Sequence, residues 1–421
     1  MGFLEPWCRA IKANGGFSDF GNTGGLVPQI KFDIPPREEL VNAPRYDYTA
    51  PYLYILTAIS YLKPTQFLFA IKWVSIAFDF VLAVFIGLIC RKILKSNTAF
   101  LFGFGVALFL PNVILNSAVW AQCDVIFSTF TVMCLYFLLR GNNRTALCLY
   151  GISFAFKIQA IFFLPVIIIV LVKKKINIFF IFYALLTIVL INLPALVMGM
   201  GFKSTFITPY LTQVEEYKGS LNMNAPNLYL LIDVAANYSL PEKGEPNGKW
   251  RDWFSGAGVV FTLAVCIILF MIIYRKEFTF TAKRLVLVAY LFASLMPFLL
   301  PHMHERYWFM ADVIAIAFIA CYPKKFYIAL MSIYPSLRFC VNFLFTTQVQ
   351  DQWHRVYLAV MMLISIVLTL NLLRRELTVS EEEEFGVRLR QNQAKENAEQ
   401  PQEQATELTT EDCEISEAQE A

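Results

Sequence analysis

The sequence predicts an all-α fold: a polytopic bundle of transmembrane helices that ends in a disordered acidic tail. Three observations carry that expectation. Of 421 residues, 57% are hydrophobic and 16% charged, and the mean hydropathy of +0.54 exceeds that of an ordinary soluble domain. About ten long apolar stretches follow one another, at 66–90, 98–118, 121–139, 145–172, 176–199, 256–274, 285–300, 307–321, 326–345 and 354–373, several near the length a helix needs to cross a bilayer and others short or interrupted. Charge is also segregated. Residues 374–421 hold 5 Lys/Arg against 14 Asp/Glu, a net of −9 in a chain whose total is +3, so the remainder carries +12. Lipid offers no partner to a backbone amide, and the ten-residue alternation of barrel strands is missing, so the spans are helices.

Taken in order, residues 1–65 read as a first extracytoplasmic loop with Gly15-Gly16, Gly24-Gly25 and Pro35-Pro36. An amphipathic stretch from Tyr52 to Leu62 is expected to lie in the membrane interface. Residues 66–373 form the helical domain. Within it, 145–172 is short for two full spans, yet Arg144 and Lys173 belong on one side, so a hairpin of shorter helices with its apex near Lys157 is expected. The outer loop 200–255 carries Asn222, Asn224 and Asn227 around Pro226, then Trp250 and Trp253, which would cap the helices and shape an acceptor cleft. The tail, 374–421, opens with Arg374-Arg375 and runs through Glu381–Glu384 with almost no large apolar residue, too little to offset the entropy of ordering.

Orientation follows from six basic clusters: Arg91-Lys92-Lys95, Arg140-Arg144, Lys173-Lys174-Lys175, Arg275-Lys276-Lys283-Arg284, Lys324-Lys325 and Arg374-Arg375. The positive-inside rule places all six in the cytoplasm. Residues 1–65, the Trp120 region, 200–255, 301–306 and 346–353 then lie outside. Met1 falls outside with no helix before it, so a first transmembrane helix is expected upstream. The nine cysteines show no metal or framework spacing, and no structural disulfide is expected.

Ionisable groups at membrane depth cost several kcal/mol, so each is a candidate site residue. They are Lys72 and Asp79, Asp124, Lys157, the group His302, His304, Glu305 and Arg306, and Asp312. Lys72 and Asp79, seven apart on one helical face, suit an ion pair or a tie between helices. The segment Pro301–Trp308 is the densest, with two of the chain's three histidines beside an acid and a guanidinium. A carboxylate there suits a base, and Arg with His suits a phosphate; the bland alternative is an aromatic interfacial anchor. His302 and His304 sit at i, i+2, wrong for one helical face, and no metal site is expected. In Asn116–Asp124, Trp120 suits a sugar face while Gln122 and Asp124 suit its hydroxyls; a boundary Trp and a helix-starting Asp also occur for ordinary reasons. Lys157, with Gln159, calls for an anion in the middle of an apolar hairpin. No G-x-x-x-x-G-K loop occurs, against a nucleotide-driven mechanism, and no nucleic-acid partner is expected.

Phe3-Leu4-Glu5-Pro6-Trp7, Asn14-Gly15-Gly16-Phe17, Tyr48-Thr49-Ala50-Pro51-Tyr52-Leu53-Tyr54, Trp120-Ala121-Gln122-Cys123-Asp124, Lys157-Ile158-Gln159, Pro226-Asn227-Leu228-Tyr229 and His304-Glu305-Arg306-Tyr307 come in that order. Together they resemble bacterial membrane glycosyltransferases of the GT-C superfamily, more narrowly the mannosyltransferases related to the GPI-anchor pathway, over roughly residues 1–375. The resemblance implies transfer of a hexose from a polyprenyl-phosphate donor to a glycan or glycolipid acceptor outside the cytoplasm. It implies catalytic roles for Asp124, Glu305 and His304. Lys157, Arg306 and His302 or His304 would hold phosphate; Trp120, Gln122 and Asp124 would hold sugar or acceptor, with Gln159 and Asn227 also against substrate. No cofactor is called for, and a divalent cation is compatible with the acids. The superfamily's acid in the first outer loop is expected just before Phe3; Asp19, Asp33 and Asp47 sit in turn-like contexts instead. Two rivals stand beside this reading: a lipid-sugar flippase, which would spread charge through the membrane and show repeats, and an inactive scaffold.

Overall fold

The computed structural model describes residues 4–13, 48–210, 221–239, 247–276, 280–345 and 352–379. The expected loop motifs at 14–17, the acids Asp19, Asp33 and Asp47, and the acidic tail beyond 379 lie outside the described residues. Two short helices, α1 (Leu4–Ala13) and α2 (Ala50–Ser60), precede α3 (Phe67–Leu94), which turns through left-handed Lys95 into α4 (Asn97–Leu108). There follow α5 (Pro111–Ile114), prolonged by a π-turn at Leu115–Val119, then α6 (Asp124–Arg140), α7 (Asn143–Phe156), α8 (Leu164–Lys173), α9 (Ile181–Val197), α10 (Phe202–Phe206) and α11 (Leu228–Ser239). The long helices α12 (Asn247–Arg275), α13 (Ala282–Leu299), α14 (Phe309–Cys321), α15 (Phe326–Phe345) and α16 (Gln352–Val379) complete the bundle. Among the described residues, one parallel pairing of β1 (Asn222–Met223) with β2 (Met303–His304) is the whole of the strand content.

Six helices are long and apolar enough to cross a membrane: Pro64–Leu94, Ile178–Val197, Trp253–Arg275, Ala282–Leu299, Pro323–Phe345 and Gln352–Val379. The pair Asn97–Leu108 and Pro111–Val119, bent by 45°, makes a seventh if counted as one span. Burial separates centre from rim. The apolar window of Ala282–Leu299 is 89% buried, whereas those of Ile178–Val197 and Trp253–Arg275 are 17% buried. Helix α13 is therefore the hub of the core, apolar all round because protein surrounds it. Phe182, Leu186, Leu190, Val260, Leu263 and Ile267 face outward from α9 and α12, an apolar surface that water would not tolerate and lipid does. The chain is a multi-pass helical membrane protein.

Small residues set the closest helix contacts, as expected where lipid removes the hydrophobic drive between helices. A Cβ at Gly103 in α4 would lie 2.7 Å from Cys90 Sγ in α3. One at Gly151 in α7 would strike the backbone of Ala184 in α9. The connections alternate between two ends. At the upper end Lys157 meets Asp124. At the lower end Lys174 Nζ donates to the Leu138 carbonyl at 3.3 Å, Lys173 Nζ to that of Tyr274 at 3.1 Å, and Arg284 pairs with Glu376 at 3.4 Å. The stretch 145–172 accordingly folds as the expected hairpin: α7 rises, Lys157 breaks it with extended backbone, and a 3-10 stretch, Ile158–Phe163, leads down into α8.

Two stretches show structure that the sequence pattern alone does not give. In helix α2, Tyr52, Leu53, Leu56, Thr57 and Ile59 are all buried, while Tyr61 and Leu62 just past its end are exposed, because the helix packs under α1, α3, α7 and α9. Its Tyr54 hydroxyl even accepts from the Ala195 amide at 2.9 Å. The span 200–255 contains, among its described residues, α10, β1, α11 and the start of α12. Asp79 does tie two helices, accepting from Ser117 Oγ at 2.8 Å, but Lys72 takes no part in that bond.

Candidate functional site

Asp124 opens α6, where the helix dipole favours an acid, and lies 1% exposed at the upper end. The chain reaches it through an unusual turn. In the π-turn the Trp120 amide donates to the Leu115 carbonyl at 2.8 Å, Ala121 takes φ +63, and the Gln122 amide closes onto the Asn116 carbonyl at 2.8 Å. That winding sets Asn116 Nδ2 3.0 Å from Asp124 Oδ2.

Lys157 approaches from the hairpin apex and donates to Asp124 Oδ1. Its backbone is extended, the residue is 4% exposed, and Thr49 Oγ1 caps the carbonyl of Phe156 before it at 2.9 Å. Aromatic rings surround the ammonium: Tyr48 and Phe127 at 5.9 Å and Tyr307 at 5.8 Å to the ring centroids. Such faces stabilise a cation that has left water.

The third arm is the 3-10 turn Glu305–Trp308, held by the β1–β2 pairing in which Met223 faces His304. Arg306 is the bridge. Its Nε lies 3.4 Å from Asp124 Oδ2 and its Nη1 3.4 Å from Glu305 Oε1, while its guanidinium sits 5.5 Å over Trp120 and 5.7 Å over Tyr307. Burial works against the charge of Arg306, but Asp124 and Glu305 more than offset it and raise the pKa above the ordinary arginine value. Glu305 is fully buried, with His304 Nδ1 3.7 Å from its Oε2. Burial pushes the His304 pKa below its ordinary value, partly countered by Glu305, so the ring is neutral at pH 7.

Asp124, Lys157, Glu305, Arg306, His304 and Trp120 thus converge from three distant stretches of chain. Gln159, two residues past Lys157 and buried, lies near Tyr307. Three sequence candidates stand apart. His302 is turned away by a positive φ of 60, and its Nε2 meets Ser255 Oγ at 2.6 Å. Asn227 is a structural residue: its Oδ1 accepts from Asn222 Nδ2 at 2.6 Å and from the Leu230 amide at 3.1 Å, capping α11, and its Nδ2 reaches the Leu300 carbonyl at 3.4 Å. Gln122 acts chiefly through its backbone, whose carbonyl accepts from Ser75 Oγ at 2.9 Å.

Sequence reasoning missed Asn116, Tyr48 and Tyr307 as members of the cluster. It also missed Arg338 and Arg355, which line a small cavity near the upper end with Asn342; Arg355 Nη2 donates to Asn224 Oδ1 at 3.3 Å. An arginine inside α15, an otherwise apolar helix, was the available signal. Among the described residues no three His, Cys, Asp or Glu side chains gather as a metal-holding group, and the eight described cysteines are free. No family model matches the chain, and comparison with characterised proteins returns no match.

Proposed function

We propose that the chain is a membrane glycosyltransferase of the GT-C type. It would transfer a mannose-like hexose from a polyprenyl-phosphate donor to a glycan or glycolipid acceptor on the outer side of the cell membrane. The observation that carries this reading is the convergence of two acids and two cations, walled by aromatic rings, at the end of the bundle opposite the basic clusters. In this reading α6, the hairpin of α7 and α8, and α14 lie in the bilayer beside the longer helices, completing the ten-segment pattern, and the C-terminus faces the cytoplasm.

The chemistry follows from what each group can hold. A lipid-linked donor slides sideways between helices, and its phosphate takes Lys157 and Arg306 as counter-charges. Drawing those cations away from Asp124 unmasks a carboxylate that they otherwise hold as a weak base. The acceptor hydroxyl attacks the anomeric carbon on the face opposite the phosphate, and its proton passes to Asp124 or Glu305. The bond from that carbon to the phosphate oxygen breaks, and its electron pair leaves with the phosphate. His304 orients Glu305, while Trp120 and Tyr307 offer ring faces to the sugar.

Incubating the purified chain in vesicles with radiolabelled polyprenyl-phosphate hexoses and a cell-envelope glycan fraction tests the reading. Label is expected in the glycan; donor left intact with every hexose counts against it. One observation favours a second reading, a non-catalytic scaffold: the two acids and two cations of the cluster pair with one another, so it would serve as a lock between helices. A lipid-sugar flippase differs in outcome, because it would move donor across the vesicle without consuming it.

A further inference from the structure

A second polar group lies deeper than the ionic cluster. Asn112 Nδ2 donates to Asp312 Oδ2 at 2.5 Å and to Ser336 Oγ at 3.2 Å, and Ser336 Oγ donates to the same Asp312 oxygen at 2.7 Å. Three helices, α5, α14 and α15, are joined by these bonds. All three side chains are at least nine-tenths buried. They line a cavity of about 10 Å³ together with Asn116, Trp120 and Arg306, room for about one water or one small ion.

The remaining valences of this group point to its occupant. Asp312 Oδ1, Asn112 Oδ1 and Asn116 Oδ1 are all buried without a hydrogen-bond partner. The two amide oxygens can only accept, as does Asp312 Oδ1 when ionised, and the amide nitrogens of both asparagines are already committed to Asp312, Ser336 and Asp124. A water molecule donates two hydrogens at most, which leaves one of three buried oxygens unsatisfied. Charge leads to the same conclusion. Asp124 and Glu305 balance Lys157 and Arg306, so Asp312 is a further carboxylate that pairs with no cation among the described residues.

We propose that this cavity is a sodium site, with Asp312 Oδ1, Asn112 Oδ1 and Asn116 Oδ1 as protein ligands. Hard oxygen donors suit an alkali or alkaline-earth cation. A single carboxylate with Arg306 on the cavity wall fits one positive charge and disfavours two. The ion ties α5, α14 and α15 together, and through Asn116 it steadies Asp124 in the ionic cluster. This inference is independent of glycosyl transfer.

Equilibrium dialysis of ²²Na⁺ against the detergent-purified chain in choline chloride is the direct test. One saturable ion per chain is expected, with a melting temperature raised by about 5 °C in NaCl over choline chloride at equal ionic strength. Asp312→Asn is expected to lower sodium affinity at least about tenfold and to abolish the thermal increment. Asn112→Ser, a milder change, is expected to weaken binding while the chain still folds. Absence of saturable sodium in the wild type overturns the proposal and leaves a water or a protonated Asp312 in the cavity. Sodium binding unchanged in either variant overturns it as well, because the ion would then reside elsewhere.

Discussion

Lys157 and Asp124 are each costly alone and tolerable together. An uncompensated charge in a buried site destabilises by about 3–5 kcal/mol, while a buried pair replaced by apolar groups of like size is often neutral. Lys157→Ala is therefore expected to lower sugar transfer at least about 100-fold and to lower the melting temperature in detergent. The double variant Asp124→Asn/Lys157→Met is expected to recover most of the stability and none of the transfer. Recovery of both would make the pair a structural lock only. At this scale the sequence was informative wherever a charge interrupts an apolar run, as at Lys157, Asp124 and Asp312. It was silent on partners. Nothing in the order of residues says that Asp79 takes Ser117 rather than Lys72, or that Arg306 bridges Asp124 and Glu305, because those choices are made by helices far apart in the chain. His302 and His304 are two residues apart yet diverge, since the positive φ at His302 turns one ring toward α12.

The elements place the cluster through close helix contacts. Gly151 lets α7 lie against α9 so tightly that a side chain there meets the backbone of Ala184, and α7 ends at Lys157. Gly151→Leu must push the two helices apart, at a cost of about 1–3 kcal/mol or more, and displace the hairpin apex. Its expected signature is a lower melting temperature together with weakened transfer; an unchanged melting curve would contradict the tight contact. The hairpin was legible from length and flanking charge, as basic residues bound a largely apolar stretch of 28 positions on both sides. The π-turn at Leu115–Val119 was not, because one extra residue per turn leaves no mark in an apolar pattern. Helix α2 hid its packing for a different reason. Tyr52 is buried beneath neighbours that periodicity alone does not reveal, while Tyr61 past the helix end is exposed.

For the whole molecule, the long apolar stretches were the plainest message of the sequence, and the outward apolar faces of α9 and α12 repeat it in three dimensions. The ends of the bundle differ in kind. Basic residues line one, where Lys173, Lys174 and Arg284 bond neighbouring segments, and the balanced ionic cluster occupies the other. An apolar barrel of helices needs no such cluster for solubility or span, and burying two acids and two cations is expensive unless they do work there. That work is the central claim, and Glu305 probes it most cleanly because Glu305→Gln keeps the size of a fully buried side chain while removing its charge. The decisive measurement is single-turnover transfer of labelled hexose from a polyprenyl-phosphate donor by wild type and Glu305→Gln, both shown to be folded in the same vesicles. A fall of at least about 100-fold in the variant is the result predicted; equal turnover in the two would contradict the claim.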